Sequence, residues 1–384
     1  MDITLAIQEL SQDILLIVAL PIFLLAVAAE WYYEKYKELE IYKGKDFLAS
    51  FSMALITAVV EFLPKALAFV AFYYLHEWSP LRDVVGRQWW AFGILFFLDD
   101  FAYYWFHRMN HEVRLFWAGH VSHHSSEYMN FGTALRQGAG ERLHKYFFWL
   151  WIPLLGFDPV MMFTMMSINL IYQYFTHTEF IRKLPSWYEA FFNTASHHRV
   201  HHASQSRYLD RNHAGIFIFW DKWFGTFQEE LPDVPPVYGI SRPARTWNPF
   251  KINFPHLWLL VKDAWRAPKW ADKLNIWFMP TGWRPAGFDE KYPVEKIENV
   301  YQFEKFGTQN STALTAWATL QMFVTLALMS YFFGSLALQK TDALTIELLH
   351  IYRQSDSFFI DLLNKVRNNQ LDTEVLKAVN SRYI

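Results

Sequence analysis

The sequence of 384 residues contains no cysteine. A chain without cysteine forms no disulfide, offers no thiolate nucleophile, and holds no cysteine-bound zinc, iron–sulfur cluster or thiolate haem. Any bound metal ion must therefore be held by histidine, aspartate or glutamate. Net charge is lacking as well, because 37 acidic residues nearly balance 35 basic ones and leave a formal charge of −2. Without an overall basic field, DNA or RNA is not expected as a partner.

Apolar residues are abundant instead, with 53% of the chain hydrophobic and 19% aromatic. This share, with only 19% charged residues, favours a membrane protein over a soluble domain. The predicted fold is an all-α integral membrane protein with about four to six membrane helices and a cytoplasmic helical cap that encloses a histidine-rich dimetal site. The predicted membrane segments are 14–29, 47–75, 89–105, a hairpin of two short helices at 147–155 and 160–175, and 313–338.

The charged loops predict an orientation in the membrane. No Lys or Arg precedes segment 14–29, so this segment is expected to remain as an anchor rather than to be cleaved as a signal peptide. If the first three segments each cross once, the loop with Lys35 and Lys45 lies on the same side as the basic region that begins at His107. The positive-inside rule places that side in the cytoplasm, whether the membrane is a bacterial inner membrane or the endoplasmic reticulum.

Composition also suggests four regions along the chain. N-terminal membrane helices are predicted for 1–88, and a catalytic domain with the histidine motifs for 89–230. A cytoplasmic cap and membrane-surface segment is predicted for 231–310, where 252–265 has an amphipathic pattern that suits a membrane surface. A C-terminal membrane helix and tail complete the chain at 311–384.

Histidine is the most informative residue type in this chain. Twelve of the 15 histidines lie between His107 and His213, and most of these fall into three groups with helical spacing. On a helix, residues at i, i+3 and i+4 share one face. Chance predicts an H-x-x-H-H pattern about 0.02 times in a chain of this composition, yet it occurs twice. The groups are His107 with His111, His120 with His123 and His124, and His198 with His201 and His202.

Grouped imidazoles at a membrane edge indicate metal binding, because neutral imidazole is the commonest metal ligand. Eight such side chains exceed what one ion takes, so two metal ions with about four ligands each are predicted. His177 is a predicted ninth ligand, and Gln173, one turn earlier, is a further candidate that could contact a metal directly or through water. His197 points about 100° away from His198 on a helix and is predicted to support the ligands or the fold. The remaining histidines, including His144 and His213, are interpreted as structural.

Two further polar features have open interpretations. Asp99 and Asp100 lie two turns before His107, where one of them either orients a ligand imidazole or caps and pairs charges. The pattern E-x-x-H occurs at Glu141 with His144 and at Glu347 with His350. Composition alone predicts about 0.8 such pairs, so the pattern does not identify a carboxylate-bridged metal site.

Three segments resemble the fatty acid hydroxylase and sterol desaturase superfamily of membrane di-iron enzymes. They are HRMNH at 107–111, HVSHHSSEYMNFGTALRQ at 120–137, and NTASHHRVHHASQSRYLDRNHAGIFIFWDKWFGTF at 193–227. Within the superfamily, the second and third segments are most similar to the alkylglycerol monooxygenase branch and its bacterial relatives. The resemblance covers about 89–230, a little over a third of the chain.

The resemblance implies a cytoplasmic centre of two iron ions, O₂ as oxidant, and a lipid that enters from the bilayer. Imidazole sites also take zinc, so a purified sample contains either metal. Electrons are expected from a separate reductase or a reduced pterin, since no haem, flavin or cysteine motif is present. By position, the implied ligands are His107, His111, His120, His123, His124, His177, His198, His201 and His202. Gln173 stands where some relatives have a further histidine.

The implied reaction is hydroxylation or desaturation of a lipid C–H bond, and the residues do not choose between these outcomes. An alkyl ether lipid is one predicted substrate, because hydroxylation beside the ether oxygen splits such a lipid into an aldehyde and an alcohol. A sterol C-5 desaturase-type activity is the alternative within the superfamily. A membrane protein that binds or transports metal ions is the alternative of another class, although no row of intramembrane ligands crosses the predicted spans.

Overall fold

A computed structural model describes residues 14–329 and 331, and within them the regular structure is helical apart from single β-bridges. The chain divides into two compact units, Met1–Ser311 and Thr312–Ile384. The longer helices of the first unit are α1 (Ile14–Lys37), α2 (Gly44–Trp78), α3 (Trp89–Glu112), α4 (Arg114–His120), α5 (Pro159–Tyr174), α6 (Ala195–His201), α7 (Phe219–Phe224), α8 (Pro255–Arg266) and α9 (Trp270–Phe278). In the second unit, α10 covers Thr312–Met329.

Short helical turns connect these helices. The single-turn α-helices are Arg82–Val85, Ser186–Glu189, Pro249–Asn253 and Phe288–Lys291. The 3₁₀ turns are His123–Ser125, Thr133–Leu135, Gly140–Leu143, Lys145–Trp149, Pro153–Leu155 and Val300–Gln302. The predicted all-α class is therefore confirmed for the described part of the chain.

Two helices among the described residues, α2 and α10, are long and apolar enough to cross a membrane. Helix α2 has 35 residues, which corresponds to a length of about 52 Å at 1.5 Å per residue. That length exceeds the hydrocarbon core of about 30 Å. The predicted segment 47–75 is thus one continuous helix that passes through Pro64. The predicted run 313–338 lies partly outside the described residues, and the total number of spans remains a prediction.

Helices α2, α3 and α5 pack around the main apolar core of the first unit. Phe72 of α2, Leu95 of α3 and Met162 of α5 are each fully buried there. Helix α5 begins sharply because Pro159 occupies its first turn and the Asp158 side chain accepts hydrogen bonds from two backbone N–H groups of that turn. This core holds α3 and α5 side by side, so that the end of α3 and the end of α5 both reach the histidine groups.

The predicted hairpin of two short helices is wrong in its first half. Segment 160–175 forms most of α5, but 147–155 consists of separate 3₁₀ turns. Pro153 has no N–H to continue an α-helix, and Gly156 reverses the chain in the left-handed region at φ 89°. The buried Trp149 Nε1 donates to Asp99 Oδ1 at 2.8 Å, which fixes this segment against α3.

Candidate metal centre

The first two histidine groups meet where α3 ends and α4 follows. His107 and His111 lie one turn apart on α3, as the four-residue spacing predicts, and both are buried. Helix α4 ends at His120, and a separate 3₁₀ turn carries His123 and His124. The expectation that these last three histidines share one helix face is therefore wrong.

Close backbone packing explains why the chain turns after His120. A Cβ atom at Gly119 would lie 2.6 Å from the backbone nitrogen of Glu141, and one at Gly138 would lie 1.9 Å from the carbonyl oxygen of Gly119. Only glycine allows the two backbones to approach this closely. The contact places the segment with Glu141 directly beside the end of α4.

The third group lies on α6, which carries His198 and ends at His201, with His202 as its C-cap residue. His177 lies just beyond the end of α5. Buried histidine nitrogens then form two groups, in each of which all the potential ligand atoms lie within 4.8 Å of one another. Five belong to the first group and four to the second, nine in all. The five-histidine group is His107, His111, His120, His124 and His201, and the four-histidine group is His123, His177, His198 and His202.

Each H-x-x-H-H motif contributes to both groups. Its first and last histidines enter one group, and the middle one enters the other. His120 and His124 join the five-histidine group whereas His123 joins the four-histidine group. In the second motif the pattern is reversed, so that His201 alone joins the five-histidine group. The two groups are therefore interlocked, and the nine histidines named from the sequence are the nine that meet.

The distances between ring nitrogens fit a metal centre. Nε2 of His120 lies 3.2 Å from that of His107 and 3.1 Å from that of His124. In the four-histidine group, Nε2 of His198 lies 2.9 Å from that of His177 and 3.1 Å from that of His202. Ligand nitrogens about 2.1 Å from one ion at angles of 90–110° are about 3.0–3.4 Å apart. The donor set and its spacing thus match metal coordination.

Hydrogen bonds at Nδ1 turn these rings so that Nε2 faces inward. Nδ1 of His120 donates to Glu141 Oε2 at 2.7 Å. Four other rings donate from Nδ1 to backbone carbonyl oxygens at 2.8–2.9 Å: His107 to His213, His123 to Arg136, His177 to Gln173 and His201 to Arg211. With the proton on Nδ1, a neutral ring presents a lone pair at Nε2. Two facing lone pairs form no hydrogen bond, so a cation is the partner that satisfies both.

Burial keeps the imidazoles neutral. It lowers the pKa of His120, His123 and His124 well below the usual value, and the neighbouring rings add to the effect. The same causes lower the pKa of His198 and His202. A buried site without positive charge and with several inward lone pairs is chemically suited to a divalent cation.

The segment 211–214 supports the five-histidine group and was not recognised in the sequence. Its carbonyl groups at Arg211 and His213 accept the Nδ1 protons of two ligand candidates. Asp221 fixes this segment by accepting hydrogen bonds from the backbone N–H groups of His213 and Ala214, both at 2.8 Å. The His213 ring is fully buried and lies 5.1 Å from the ring of His111, centroid to centroid. No sequence pattern marks a backbone carbonyl as a hydrogen-bond acceptor.

Asp99 and Asp100 do not orient a ligand imidazole, so that interpretation is wrong. Asp100 accepts hydrogen bonds from the backbone N–H groups of Ile216 and Phe217 and from Trp220 Nε1. Asp99 accepts from Trp149 and from Asn169. Asp100 thus attaches α3 to the chain that follows segment 211–214, and Asp99 attaches it to Trp149 and to α5. The carboxylates beside candidate ligands are instead Glu141, 2.7 Å from His120 Nδ1, and Asp210, 3.4 Å from His111 Nδ1.

The structure also locates His197 and Gln173, the two further side chains considered beside the nine histidines. His197 lies outside both groups and belongs to the capping box of α6, where its Nδ1 accepts a hydrogen bond from the Thr194 backbone at 3.3 Å. Burial lowers its pKa to about 4. The Gln173 side chain donates from Nε2 to Asn169 and lines a cavity beside His177.

Two cavities with no lining residue in common reach the histidines. The first, of about 320 Å³, is bordered by His111, His124, His201 and His202 and by residues of α8 and the following loops. The second, of about 210 Å³, is bordered by His120, His123, His177 and His198. Its other walls come from α1, α2, α3 and α5, with Phe23, Ala54 and Leu170 among them. One cavity thus approaches the centre through the long apolar helices and the other through the later segments of the first unit.

Comparison with known proteins agrees with this geometry. A model of the family described as fatty acid hydroxylase matches residues 92–226, which include all nine histidines. The alkylglycerol monooxygenase of Homo sapiens is 36% identical over 299 residues, covering 75% of this chain and 65% of the human protein. That of Danio rerio is 32% identical over 343 residues, covering 88% of this chain and 74% of the fish protein.

The alkylglycerol monooxygenase of Xenopus tropicalis is 39% identical over 229 residues, which are 57% of this chain and 50% of the frog protein. The chain therefore spans between half and three quarters of these relatives. No solved structure matches it. On the family model and on the long match to the fish relative, this chain belongs to the fatty acid hydroxylase family and is similar to the animal alkylglycerol monooxygenases.

Proposed function

We propose that this protein is an O₂-dependent lipid monooxygenase that uses two iron ions to hydroxylate an alkyl ether lipid. The observation that carries the proposal is the second cavity. It extends from the apolar helices α2 and α5 to four of the nine buried histidines. An alkyl chain that enters between these helices would present its C–H bonds to the metal centre. The name of the relatives supports the ether lipid as substrate.

The two histidine groups would each hold one ion. His107, His111, His120, His124 and His201 would hold the first, and His123, His177, His198 and His202 the second. Iron bound there would supply the position at which O₂ binds and would pass to it the electrons of an external donor. Burial keeps the ligands neutral, and their Nδ1–H groups donate hydrogen bonds to Glu141 and to four carbonyl groups. Gln173 would stand beside the second ion as a further ligand or through water.

The substrate chemistry follows from the position of the new hydroxyl group. Insertion of one oxygen atom into the C–H bond beside the ether oxygen yields a hemiacetal, and the second oxygen atom leaves as water after taking two electrons and two protons. The hemiacetal then breaks into a fatty aldehyde and glycerol. The two electrons would come from a separate reductase or a reduced pterin, because the chain has no cysteine for an iron–sulfur cluster.

We place the protein in a membrane with its metal centre on the cytoplasmic side. Helices α2 and α10 have the length and composition of membrane spans. Arg108, Arg114, Arg136 and Arg142 surround the histidine motifs, as expected for cytoplasmic segments under the positive-inside rule. Helix α8 exposes Trp258 and Trp265 while burying Leu260, a pattern that suits a membrane surface.

Oxygen uptake by the iron-loaded protein tests this function. The protein is loaded with ferrous iron without air and given 1-O-hexadecylglycerol, a reductant and O₂. We expect one hexadecanal for each O₂ consumed. The control is 1-palmitoylglycerol, an ester whose corresponding carbon carries no hydrogen, and it should give no aldehyde. A product two hydrogens lighter would indicate a desaturase, and metal binding without O₂ uptake for any lipid and reductant would indicate a metal-binding or transport protein.

A further inference from the structure

The first cavity, of about 320 Å³, contains a group of basic side chains that the proposed lipid chemistry does not use. Arg114, Arg242 and Arg284 line it together with His256, and the same cavity reaches His111 and His202 of the metal centre. The cavity is therefore both cationic and adjacent to the candidate metal ligands.

Arg114 is buried with unsatisfied hydrogen-bond donors. Only 1% of its surface is exposed, and its Nη2 lies 3.5 Å from Asp263 Oδ2. Its Nε and Nη1 have no hydrogen-bond partner in the described part of the chain. A guanidinium group has five N–H donors, and leaving charged donors unpaired in the interior is costly. Such a group on a cavity wall indicates an acceptor that binds there.

The buried carboxylate beside Arg114 belongs to Asp263, and Arg284 binds it as well. Arg284 donates to both oxygens of Asp263, from Nε at 3.0 Å and from Nη2 at 2.8 Å. Arg284 Nη1 also donates to Asp289, at 2.8 Å. Four basic side chains, the three arginines and Lys296, thus face the carboxylates of Asp263, Asp289 and Asp210, which leaves a net charge of about +1 when each group is ionised. Asp210, on the same cavity wall, lies 3.4 Å from His111 Nδ1 and faces that ring.

His256 adds a second unsatisfied polar atom on this wall. Its Nε2 is buried and has no hydrogen-bond partner among residues 14–329. Burial, with Arg242 and Arg114 close by, lowers the pKa of His256 to about 3. The ring is therefore neutral and can donate one hydrogen bond to an anion or accept one from a protonated oxygen. Arg242 is half-buried. Burial and the positive charge of the nearby Arg284 lower the pKa of Arg242, so the two guanidinium groups repel each other across the cavity wall.

We propose that this cavity binds a phosphate group between Arg114, Arg242 and His256, next to the metal centre. A tetrahedral oxyanion accepts paired N–H donors from guanidinium groups and balances their excess charge. Asp263 orients Arg114 and Arg284 without neutralising all three arginines. The phosphate belongs either to free inorganic phosphate or to the headgroup of a phosphorylated lipid. Phosphate binding does not depend on the oxygen chemistry, so failure of the proposed function would not refute this site, and failure of this site would not refute the proposed function.

Equilibrium dialysis of radiolabelled inorganic phosphate against the full-length, metal-loaded protein in detergent tests the site. We expect saturable binding that weakens at least tenfold in Arg242→Gln and that Arg242→Lys partly restores. Arg207→Gln removes an exposed arginine outside the cavity and should bind like the unaltered protein. Metal content, measured in each sample, should be unchanged. Phosphate that binds Arg242→Gln as tightly as the unaltered protein would rule out inorganic phosphate as the ligand of this site, because such binding belongs to the metal ions.

Competition by lipids identifies the source of the phosphate group. 1-O-hexadecylglycerol 3-phosphate and 1-O-hexadecylglycerol are compared as competitors, and their direct binding is measured in the same variants. Displacement by the phosphorylated lipid, or Arg242-dependent binding of that lipid alone, supports the site with a lipid headgroup as its ligand. Binding of inorganic phosphate without such competition supports the site with a free anion. Absence of Arg242-dependent binding for both phosphate and the phosphorylated lipid would refute it.

Discussion

Glu141 Oε2 lies 2.7 Å from Nδ1 of His120, and both side chains are buried. The pair joins a carboxylate to an imidazole of the five-histidine group, and the two residues are 21 positions apart in the chain. A carboxylate in this position fixes the ring, holds its Nδ1 proton and makes Nε2 more basic. Glu141 thereby strengthens a candidate metal ligand without belonging to either group.

We expect Glu141→Gln to fold but to bind metal more weakly, by about 10-fold or more. The amide oxygen still accepts the hydrogen bond, but the negative charge is lost. Chelator competition followed by metal analysis measures the change. Glu229→Gln, at an exposed position whose carboxylate pairs with Lys183, is the matched control. Equal metal affinity in Glu141→Gln and the unaltered protein would show that the carboxylate charge does not support the ligand.

Loss of one candidate ligand should remove one of the two metal ions and leave the other bound. His123→Ala leaves three histidines in the four-histidine group and all five in the other. We therefore expect the metal content to fall from about two ions per chain to about one, with loss of oxygenase activity. Mass spectrometric metal analysis gives the stoichiometry. His144→Gln is a control, because His144 is outside both groups and its Nε2 bonds to Asn110, and a loss of metal there would argue against the assignment.

Asp221→Asn should destabilise the fold and the centre together. The buried carboxylate accepts from two backbone N–H groups and from the Thr226 hydroxyl. An amide in its place brings an NH₂ group against one of these donors, at an expected cost of about 1–3 kcal/mol in the free energy of unfolding. Because this carboxylate holds the segment that supports His107 and His201, metal should also dissociate faster. Thermal unfolding with and without metal measures both effects, and unchanged metal dissociation would separate Asp221 from the centre.

Reducing the volume of the second cavity should slow substrate turnover. Ala54→Phe adds a ring to the cavity wall on α2, and we expect turnover of 1-O-hexadecylglycerol to fall by at least tenfold with metal content unchanged. Val59→Phe, on the same helix but exposed and outside the cavity, is the matched control. If both variants turn over substrate like the unaltered protein, the alkyl chain does not occupy this cavity.

Helical spacing predicted eight of the nine histidines that meet, because residues on neighbouring turns come close together, and His177 was named from its position beyond a predicted helix and from the family resemblance. It did not predict their division between the groups, which depends on the break after His120 and hence on the backbone contact between Gly119 and Gly138. The role of Glu141 was missed because its spacing pointed to His144, whereas its partner is His120. Carbonyl acceptors such as that of Arg211 leave no trace in the sequence, since every residue has a carbonyl group.

The division of each motif between the two groups also determines how much of each group is present before the whole chain has been synthesised. A chain that ends before α6 would retain four histidines of the five-histidine group, since only His201 is missing. The same chain would keep two of the four-histidine group, because His198 and His202 are both absent. During synthesis from the N-terminus, the five-histidine group therefore lacks one member before α6 is made, whereas the four-histidine group lacks two. Completion of the four-histidine group thus depends more on α6 than completion of the five-histidine group does.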